Sequence, residues 1–438
     1  MIFNLFHISI HKYPTLSSLA FAIFRTNFLI ENTIPQISGQ IAKDIRQGYT
    51  GGAVDMYIPE NLDGKKVFCY DVNSLYPTMM KDYAMPIGKP TLFEGNIRAI
   101  DPNAFGFFYC KIIAPDNLKH PILQTHVKTD EGIRTIAPLG QWEDMIFSAE
   151  MDNAAKFGYK FEILWGYTFK KDYIFKNYVN ILYGLRILHP KPDPLNYIAK
   201  LLLNSLYGRF GMEDSFGDFL VLDSKSYNKF EKDQNNNLLN VVPLGDKFLI
   251  KHRSLDKDVN TFLDNASETH NISIGIAAAI TAYARIHMSQ FKNNPNFNLY
   301  YSDTDSIYID RPLPDEFISN TILGKMKLEY VCNKAIFLSP KVYYLETEDG
   351  KVIYKVKGLK HEVELTLDDF KSLLYKDTFI KKVQNIWRKY LSEGHIEILE
   401  QLYTLKVTEN KRKLIYDENN KLINSVPFKI NLDKEIIK

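Results

Sequence analysis

The stretch Tyr301-Ser302-Asp303-Thr304-Asp305-Ser306 constrains this chain more than any other. Apolar, β-prone flanks frame a short polar centre: Phe297 to Tyr301 before it, Ile307 to Ile309 after it. That alternation predicts strand, tight turn and strand, with two carboxylates at the tip. Like charges so close are unfavourable unless a cation neutralises them. Hard oxygen ligands on a rigid hairpin suit Mg²⁺, which takes one or two carboxylates and leaves positions for substrate phosphates. A bare Asp-X-Asp is more commonly a solvated turn, so the assignment has to come from elsewhere in the chain.

A second carboxylate, Asp71, closes the predicted strand Lys66 to Asp71 and opens Asp71-Val72-Asn73-Ser74-Leu75-Tyr76-Pro77. Alone it reads as a cap or turn residue. Two-metal phosphoryl chemistry, however, needs carboxylates from separate strands to hold cations about 3.5–4 Å apart. Asp71 and Asp305 are the candidate pair. The third piece is a predicted helix, Pro194 to Phe210, with proline at its start and Gly208 and Gly211 at its end. Lys200, Asn204 and Tyr207 fall on one face, and Ile198, Leu201, Leu202 and Leu206 on the other. An amine suits a triphosphate, and a ring suits a base or sugar. An amphipathic surface helix is the plainer alternative for this segment taken singly.

Together, and in this order, the three segments resemble the B-family DNA polymerases. Asp71 to Pro77 is similar to motif A (Dx2SLYP), Lys200 to Gly208 to motif B (Kx3NSLYG), and Tyr301 to Ser306 to motif C (YxDTDS). Thr304 between the aspartates distinguishes the hairpin from that of reverse transcriptases. Tyr49-Thr50-Gly51-Gly52 resembles the YxGG element linked to template and primer handling. Thr281 to Arg285 resembles TxxAR, and Lys341-Val342-Tyr343 resembles the KxY motif at the primer terminus. The spans Pro86–Tyr183 and Met212–Asn265 match the positions of two insertions of protein-primed enzymes, one accommodating a terminal protein and one encircling template.

The resemblance implies an α+β right-hand polymerase fold, with palm, fingers and thumb, an antiparallel palm sheet and two insertions. Residues 1–48 would be an exonuclease-side remnant, 49–86 palm, 87–183 the first insertion and 184–212 fingers. Residues 213–265 would be the second insertion, 266–355 palm again and 356–438 thumb. It implies Asp71, Asp303 and Asp305 as catalytic residues. Asp71 and Asp305 would hold two Mg²⁺ ions, with Mn²⁺ as a substitute, and Asp303 would contribute to the field. Tyr76, Lys200, Asn204 and Tyr207 would bind nucleotide. Tyr49, Gly51, Gly52, Arg285, Lys341 and Tyr343 would contact DNA. Arg186 or Lys191 would add a phosphate contact; Lys355, Lys357, Lys381, Lys382 and Lys411-Arg412-Lys413 would extend a basic track. Implied partners are primer–template DNA, deoxynucleoside triphosphates and a terminal protein, the chain acting as a monomer away from membranes.

Composition adds bounds. A net charge of +2 over 438 residues does not by itself announce a nucleic-acid binder, so any such site needs local basic clusters. Cys69, Cys110 and Cys332 form neither a metal-ligand spacing nor a disulfide framework. No run approaches the roughly 18 apolar residues of a membrane span. Abundant Asn, Ile and Lys fit an AT-rich genome; with the resemblance, they favour a linear mitochondrial plasmid over a phage, and hence a mitochondrial, organelle-encoded protein. The first acidic residue is Glu31, which loosely suggests a transit peptide. Lys12 to Phe28 reads instead as the last segment of an exonuclease domain, and some 48 residues before the YxGG element are too few for that domain. Proofreading is therefore not expected. Two readings stay open: a protein-primed DNA polymerase, and a truncated, inactive DNA-binding relic of one. A terminal protein or passive single-strand binder needs no paired motif A and motif C carboxylates.

Further helices are expected over Pro14–Leu29, Ile34–Arg46, Trp142–Phe157, Ile272–Phe291 and between Leu367 and Tyr403. A strand is expected at Lys160–Trp165, and a loop tip at Asp233–Asn237.

Overall fold

The computed structural model describes every residue except 1, 14, 31–32, 35–36, 38, 131, 213–217, 233–235, 255–272, 391–392 and 438. Helices α1 (Ile2–Phe6), α2 (Leu16–Asn27) and α3 (Gly39–Gln47) come first. Thr15 caps α2 reciprocally with Ser18, and Leu19 to Phe24 are buried behind it. Of the helix expected from Ile34, α3 takes up Gly39 onward, and residues 35, 36 and 38 lie outside the described residues. Strands β1 (Val54–Met56) and β2 (Val67–Val72) follow, then α4 (Leu75–Asp82).

The first insertion is β3 (Met85–Glu94), β4 (Gly106–Ile113), β5 (Thr125–Thr129), β6 (Gly132–Ile136), β7 (Leu139–Phe147), α5 (Ser148–Ala155) and β8 (Lys160–Asp172). The helix expected from Trp142 therefore starts only at Ser148. Trp142 lies opposite Ile112 in the β4–β7 ladder and is fully buried, so cross-strand packing overrides the local helical pattern. The strand at Lys160 runs on to Asp172.

Helices α6 (Lys176–Leu188) and α7 (Pro194–Phe210) pack as a pair. Helix α6 runs across residue 184, the expected boundary between the first insertion and the fingers. Then come β9 (Asp218–Asp223), α8 (Ser224–Glu231), β10 (Asn236–Leu244) and β11 (Lys247–Ser254), whose strands form a sheet in the order β10-β11-β9. Most of the expected loop tip at 233–237, and residues 255–265 of the second insertion, lie outside the described residues, as do Pro14 and Ile272 at the ends of two expected helices.

The long helix α9 (Ile274–Lys292) precedes β12 (Leu299–Asp303), β13 (Ser306–Ile309), β14 (Met326–Ser339), β15 (Val342–Thr347) and β16 (Val352–Val356). These strands join β1 and β2 in a seven-stranded antiparallel palm sheet, ordered β1-β12-β13-β2-β14-β15-β16. Both faces are covered. Tyr70, Val72, Ile307 and Ile309 join the helical core with α7 and α9, whereas Val67, Cys69, Tyr301 and Tyr308 join a second core with β14, β15 and the C-terminal segment. The period of two along each strand sends neighbours to opposite cores.

The helices expected between Leu367 and Tyr403 end early. Helix α10 (Leu367–Ser372) gives way to a hairpin of β17 (Ile380–Tyr390) and β18 (His395–Leu405). Val383 faces Leu402 and Trp387 faces Ile398 across that ladder; these cross-strand pairs set a period of two that the interleaved charges obscured. The chain ends with β19 (Arg412–Tyr416), β20 (Leu422–Pro427), β21 (Lys429–Ile430) and β22 (Ile436–Ile437). β21 pairs in parallel with β7, and Ser425 N donates to Tyr57 O at 3.1 Å. Residues 412–437 thus return to the palm and first insertion, while Leu414, Tyr416 and Leu422 share a core with Ile380, Tyr403 and Leu405 of the preceding hairpin. All three cysteines are buried and free. Among the described residues no helix is long and apolar enough to cross a membrane.

Candidate active site

The two carboxylate segments meet in the middle of the palm sheet. In β13, Ser306 lies opposite Asp303 on one side and opposite Asp71 of β2 on the other. Between β12 and β13 the turn is two residues long: Thr304 takes a left-handed backbone (φ 56°), Asp305 N donates to Asp303 O at 2.6 Å, and Val72 N donates to Asp305 O at 2.8 Å. A β-branched residue in that region is a strained outlier, of a kind that concentrates at functional sites. Ser74, which opens α4, is likewise left-handed (φ 53°). Both predicted metal-ligand segments therefore turn sharply beside the same point of the sheet.

Asp71 and Asp305 are electrostatically frustrated. Burial pushes the Asp71 carboxyl up to about 7, helped by the Asp305 and Glu329 charges and opposed by Lys327 and Lys200. Burial likewise raises Asp305, to about 6; Asp303 adds to the rise, and a backbone N–H and Lys341 oppose it. Two half-buried carboxylates that resist ionising side by side, with Lys200 within electrostatic reach, suit a divalent cation and a phosphate. Among the described residues no group of three or more metal-ligating side chains forms. Asp71 and Asp305 are the residues that could hold a metal, a two-carboxylate candidate set of the kind Mg²⁺ accepts when substrate and water complete its shell. Glu329 was not anticipated; nothing in its local sequence marks it.

The candidate nucleotide face lies on α7. On α7, Lys200 and Asn204 are exposed and Tyr207 half-buried, while Leu202, Leu203, Leu206 and Phe210 are buried. Tyr207 stacks on Tyr76 of α4, with ring centroids 4.1 Å apart and planes 26° apart. This brings motif A and motif B into contact. Arg186 donates to Ser74 Oγ at 3.0 Å and lies over the Tyr183 ring, so it sits at the opening of α4; Lys191 is exposed.

The loop Tyr49–Ala53 lies directly on the motif C turn. Thr304 N donates to Ala53 O at 2.9 Å, and β1 pairs with β12 so that Val54 faces Asp303. A Cβ on Gly52 would sit 2.6–2.9 Å from Thr304 Cγ2, Oγ1 and Cβ, whereas one on Gly51 would meet nothing within 4 Å. Rotating Thr304 relieves only two of those three contacts. Gly52→Ala is therefore expected to destabilise the chain by about 1–3 kcal/mol through overpacking, and Gly51→Ala to be near neutral; thermal melts of the two variants check this. Tyr49 packs its hydroxyl against Gly211 at the end of α7.

Arg285 is not a surface DNA contact. It is 7% exposed, forms a bidentate pair with Glu150 (2.6 and 2.7 Å), and donates from Nη1 to Thr50 O (2.6 Å) and Gly51 O (3.1 Å). The sequence shows a cation but not its burial, and Glu150 carries no local signal. Tyr343 is also withdrawn from solvent: it packs in a cluster with Tyr301, Tyr308 and Phe337. Lys341 is exposed, but its ammonium binds both oxygens of Asp303 at 2.9 and 2.7 Å, and its N–H donates to Tyr301 OH at 2.8 Å. Asp303 is thus engaged by Lys341, whereas Asp305 forms no ion pair among the described residues. In the proposed basic track, Lys355, Lys357, Lys381 and Lys413 are exposed, Lys411 is half-buried, and Lys382 pairs loosely with Asp369. Arg412 is buried against the Tyr57 ring and Ser425, so it drops out.

Comparison with known proteins agrees with this geometry. Residues 1–297 match the family model described as DNA polymerase type B, organellar and viral. A probable DNA polymerase of Ascobolus immersus is 38% identical over 99% of this chain and 35% of its own length. One from Neurospora intermedia is 38% identical over 90% of this chain and 40% of its own length. The chain thus spans little more than a third of these curated relatives. A phi29 DNA polymerase structure, complexed with primer–template DNA and incoming nucleotide, superposes with a TM-score of 0.63 at 19% identity, covering 90% of this chain and 68% of that one. The chain belongs to the organellar and viral type B DNA polymerases.

Proposed function

We propose that this chain catalyses template-dependent addition of deoxynucleotides to a primer by two-metal phosphoryl transfer. The observation that carries the proposal is the meeting of Asp71 and Asp305 on adjacent strands, both resisting ionisation, beside the Lys200 and Tyr76–Tyr207 face. Asp71 and Asp305 would hold two Mg²⁺ ions, or Mn²⁺ in their place, which when bound supply an acidified primer hydroxyl and neutralisation of the triphosphate. Lys200 neutralises charge on the incoming triphosphate, and Asn204, one turn on, orients it. The Tyr76 ring, held by Tyr207, lies under the sugar and excludes a 2′-hydroxyl, while Tyr207 lines the nascent pair. Lys341 sits between Asp303 and the path of the primer end. The phi29 polymerase structures with primer–template and nucleotide support DNA and deoxynucleoside triphosphates as partners.

The proposal extends to priming by a terminal protein, supported by the β3–β8 insertion lying between motifs A and B, and to replication of a linear mitochondrial plasmid-like DNA, supported by the Asn/Ile/Lys-rich composition. A DNA-binding relic is the alternative; retention of both carboxylates and Lys200 favours the enzyme. Single-nucleotide incorporation kinetics test the nucleotide face. Lys200→Ala is expected to raise KM for the nucleotide about 10- to 100-fold, the worth of one charged hydrogen bond, with primer–template affinity little changed. An unchanged KM would remove Lys200 from the site.

A further inference from the structure

The catalytic hairpin is held from outside the palm. Glu150 stands in the first turn of α5, in the first insertion, and is 6% exposed. Its two oxygens fix the Arg285 guanidinium in one plane, which leaves Nη1 aimed at the Thr50 and Gly51 carbonyls. A planar fork gripped on both oxygens has little freedom to rotate. Gln124, just before β5 of the same insertion, adds a second hold on the loop, donating to Gly51 O at 3.0 Å. From there the chain is short: Gly52 abuts the Thr304 side chain, Ala53 O accepts from Thr304 N, and the next residue is Asp305. The gap enclosed by Ala53, Arg285, Met288, Lys292, Ser302, Thr304 and Ile307 is about 10 Å³, room for no more than one water. Slack in the loop therefore passes to the turn instead of being absorbed.

We propose that Glu150 is a positioning residue for the catalytic hairpin: through Arg285 and the Thr50–Ala53 loop, the first insertion sets where Asp305 stands relative to Asp71. Glu150 touches neither substrate nor the carboxylates; it acts through the guanidinium. Closely packed groups transmit such a displacement because they have few alternative arrangements. The proposal rests on Asp71 and Asp305 being cation ligands.

The test is Mn²⁺ binding, followed by electron paramagnetic resonance on the purified chain, for wild type, Asp305→Asn, Glu150→Gln and Phe370→Leu. Phe370 packs on Tyr344 and Tyr354 in the second core and serves as a control for lost stability alone. All titrations are run well below the lowest melting temperature. Expected is Mn²⁺ binding by wild type, its loss in Asp305→Asn, affinity about tenfold weaker in Glu150→Gln, as for outer-shell partners of metal ligands, and wild-type affinity in Phe370→Leu. Wild-type affinity in Glu150→Gln, or equal weakening in Phe370→Leu at matched stability loss, would overturn the positioning role while leaving the metal reading intact. No Mn²⁺ binding by wild type would overturn the metal reading, and the positioning role with it.

Discussion

At pH 8 and without divalent cation, Asp305→Asn is expected to make the folded chain more stable while slowing nucleotide incorporation about 10³-fold. The two effects share one cause. Asp71 and Asp305 both have carboxyls raised from the ordinary aspartate value of 3.8, chiefly by burial. Folding therefore favours their protonated forms, and stability from this pair is fully present below about pH 4 and lost as pH rises through about 6 to 7. Replacing one carboxylate by a neutral amide removes part of the penalty, worth about 1–2 kcal/mol at pH 8 after allowing for partial solvation. The pH dependence of denaturant midpoints between pH 4 and 8 should flatten accordingly. On the proposed mechanism the same carboxylate is a metal ligand, whose loss forfeits several kcal/mol of charge stabilisation, and each 1.4 kcal/mol is tenfold in rate. A variant less stable at pH 8, or one as fast as wild type, would place the cation elsewhere.

Arg285→Ala is expected to be among the most destabilising single changes in the chain, by about 3–5 kcal/mol. It strands Glu150, 6% exposed, as an unpaired buried charge, and it takes the Arg285 donor from the Thr50 carbonyl and leaves the Gly51 carbonyl with Gln124 alone. Thermal or denaturant melts measure the loss directly. A surface contact to DNA behaves differently: its removal leaves the melt unchanged and lowers the slope of log affinity against log salt by about one. That second pattern would contradict the buried pair.

The difference between these two residues shows what the sequence carries. Asp71, Asp305, Lys200, Asn204 and Tyr207 stand out as candidates because their side-chain types and spacing suit one chemistry, and Tyr76 stands out through the resemblance of its motif. The order of their motifs fixes the fold class too. Arg285 is legible as a charge but not as a buried one, since its environment comes from Glu150, 135 positions away in sequence. Tyr343 sits in a strand covered on both faces, where Val342, Tyr343 and Tyr344 are all buried and no alternation betrays which side is which. The 380–405 hairpin was hidden for a related reason. Its apolar pairs, Val383 with Leu402 and Trp387 with Ile398, meet only across the ladder, and Trp387 remains 68% exposed. Local pattern shows the residues; only pairing shows the period.

Template-directed incorporation on a primer with one unpaired templating base tests the central claim most directly. The purified chain is offered each deoxynucleoside triphosphate singly with Mg²⁺, and the templating base is then exchanged. Expected is addition of one nucleotide that follows the templating base, requires the cation, and disappears in Asp71→Asn while primer–template binding persists. Folded wild-type protein that binds the primer–template yet adds nothing, or adds nucleotides regardless of the templating base, would contradict the assignment.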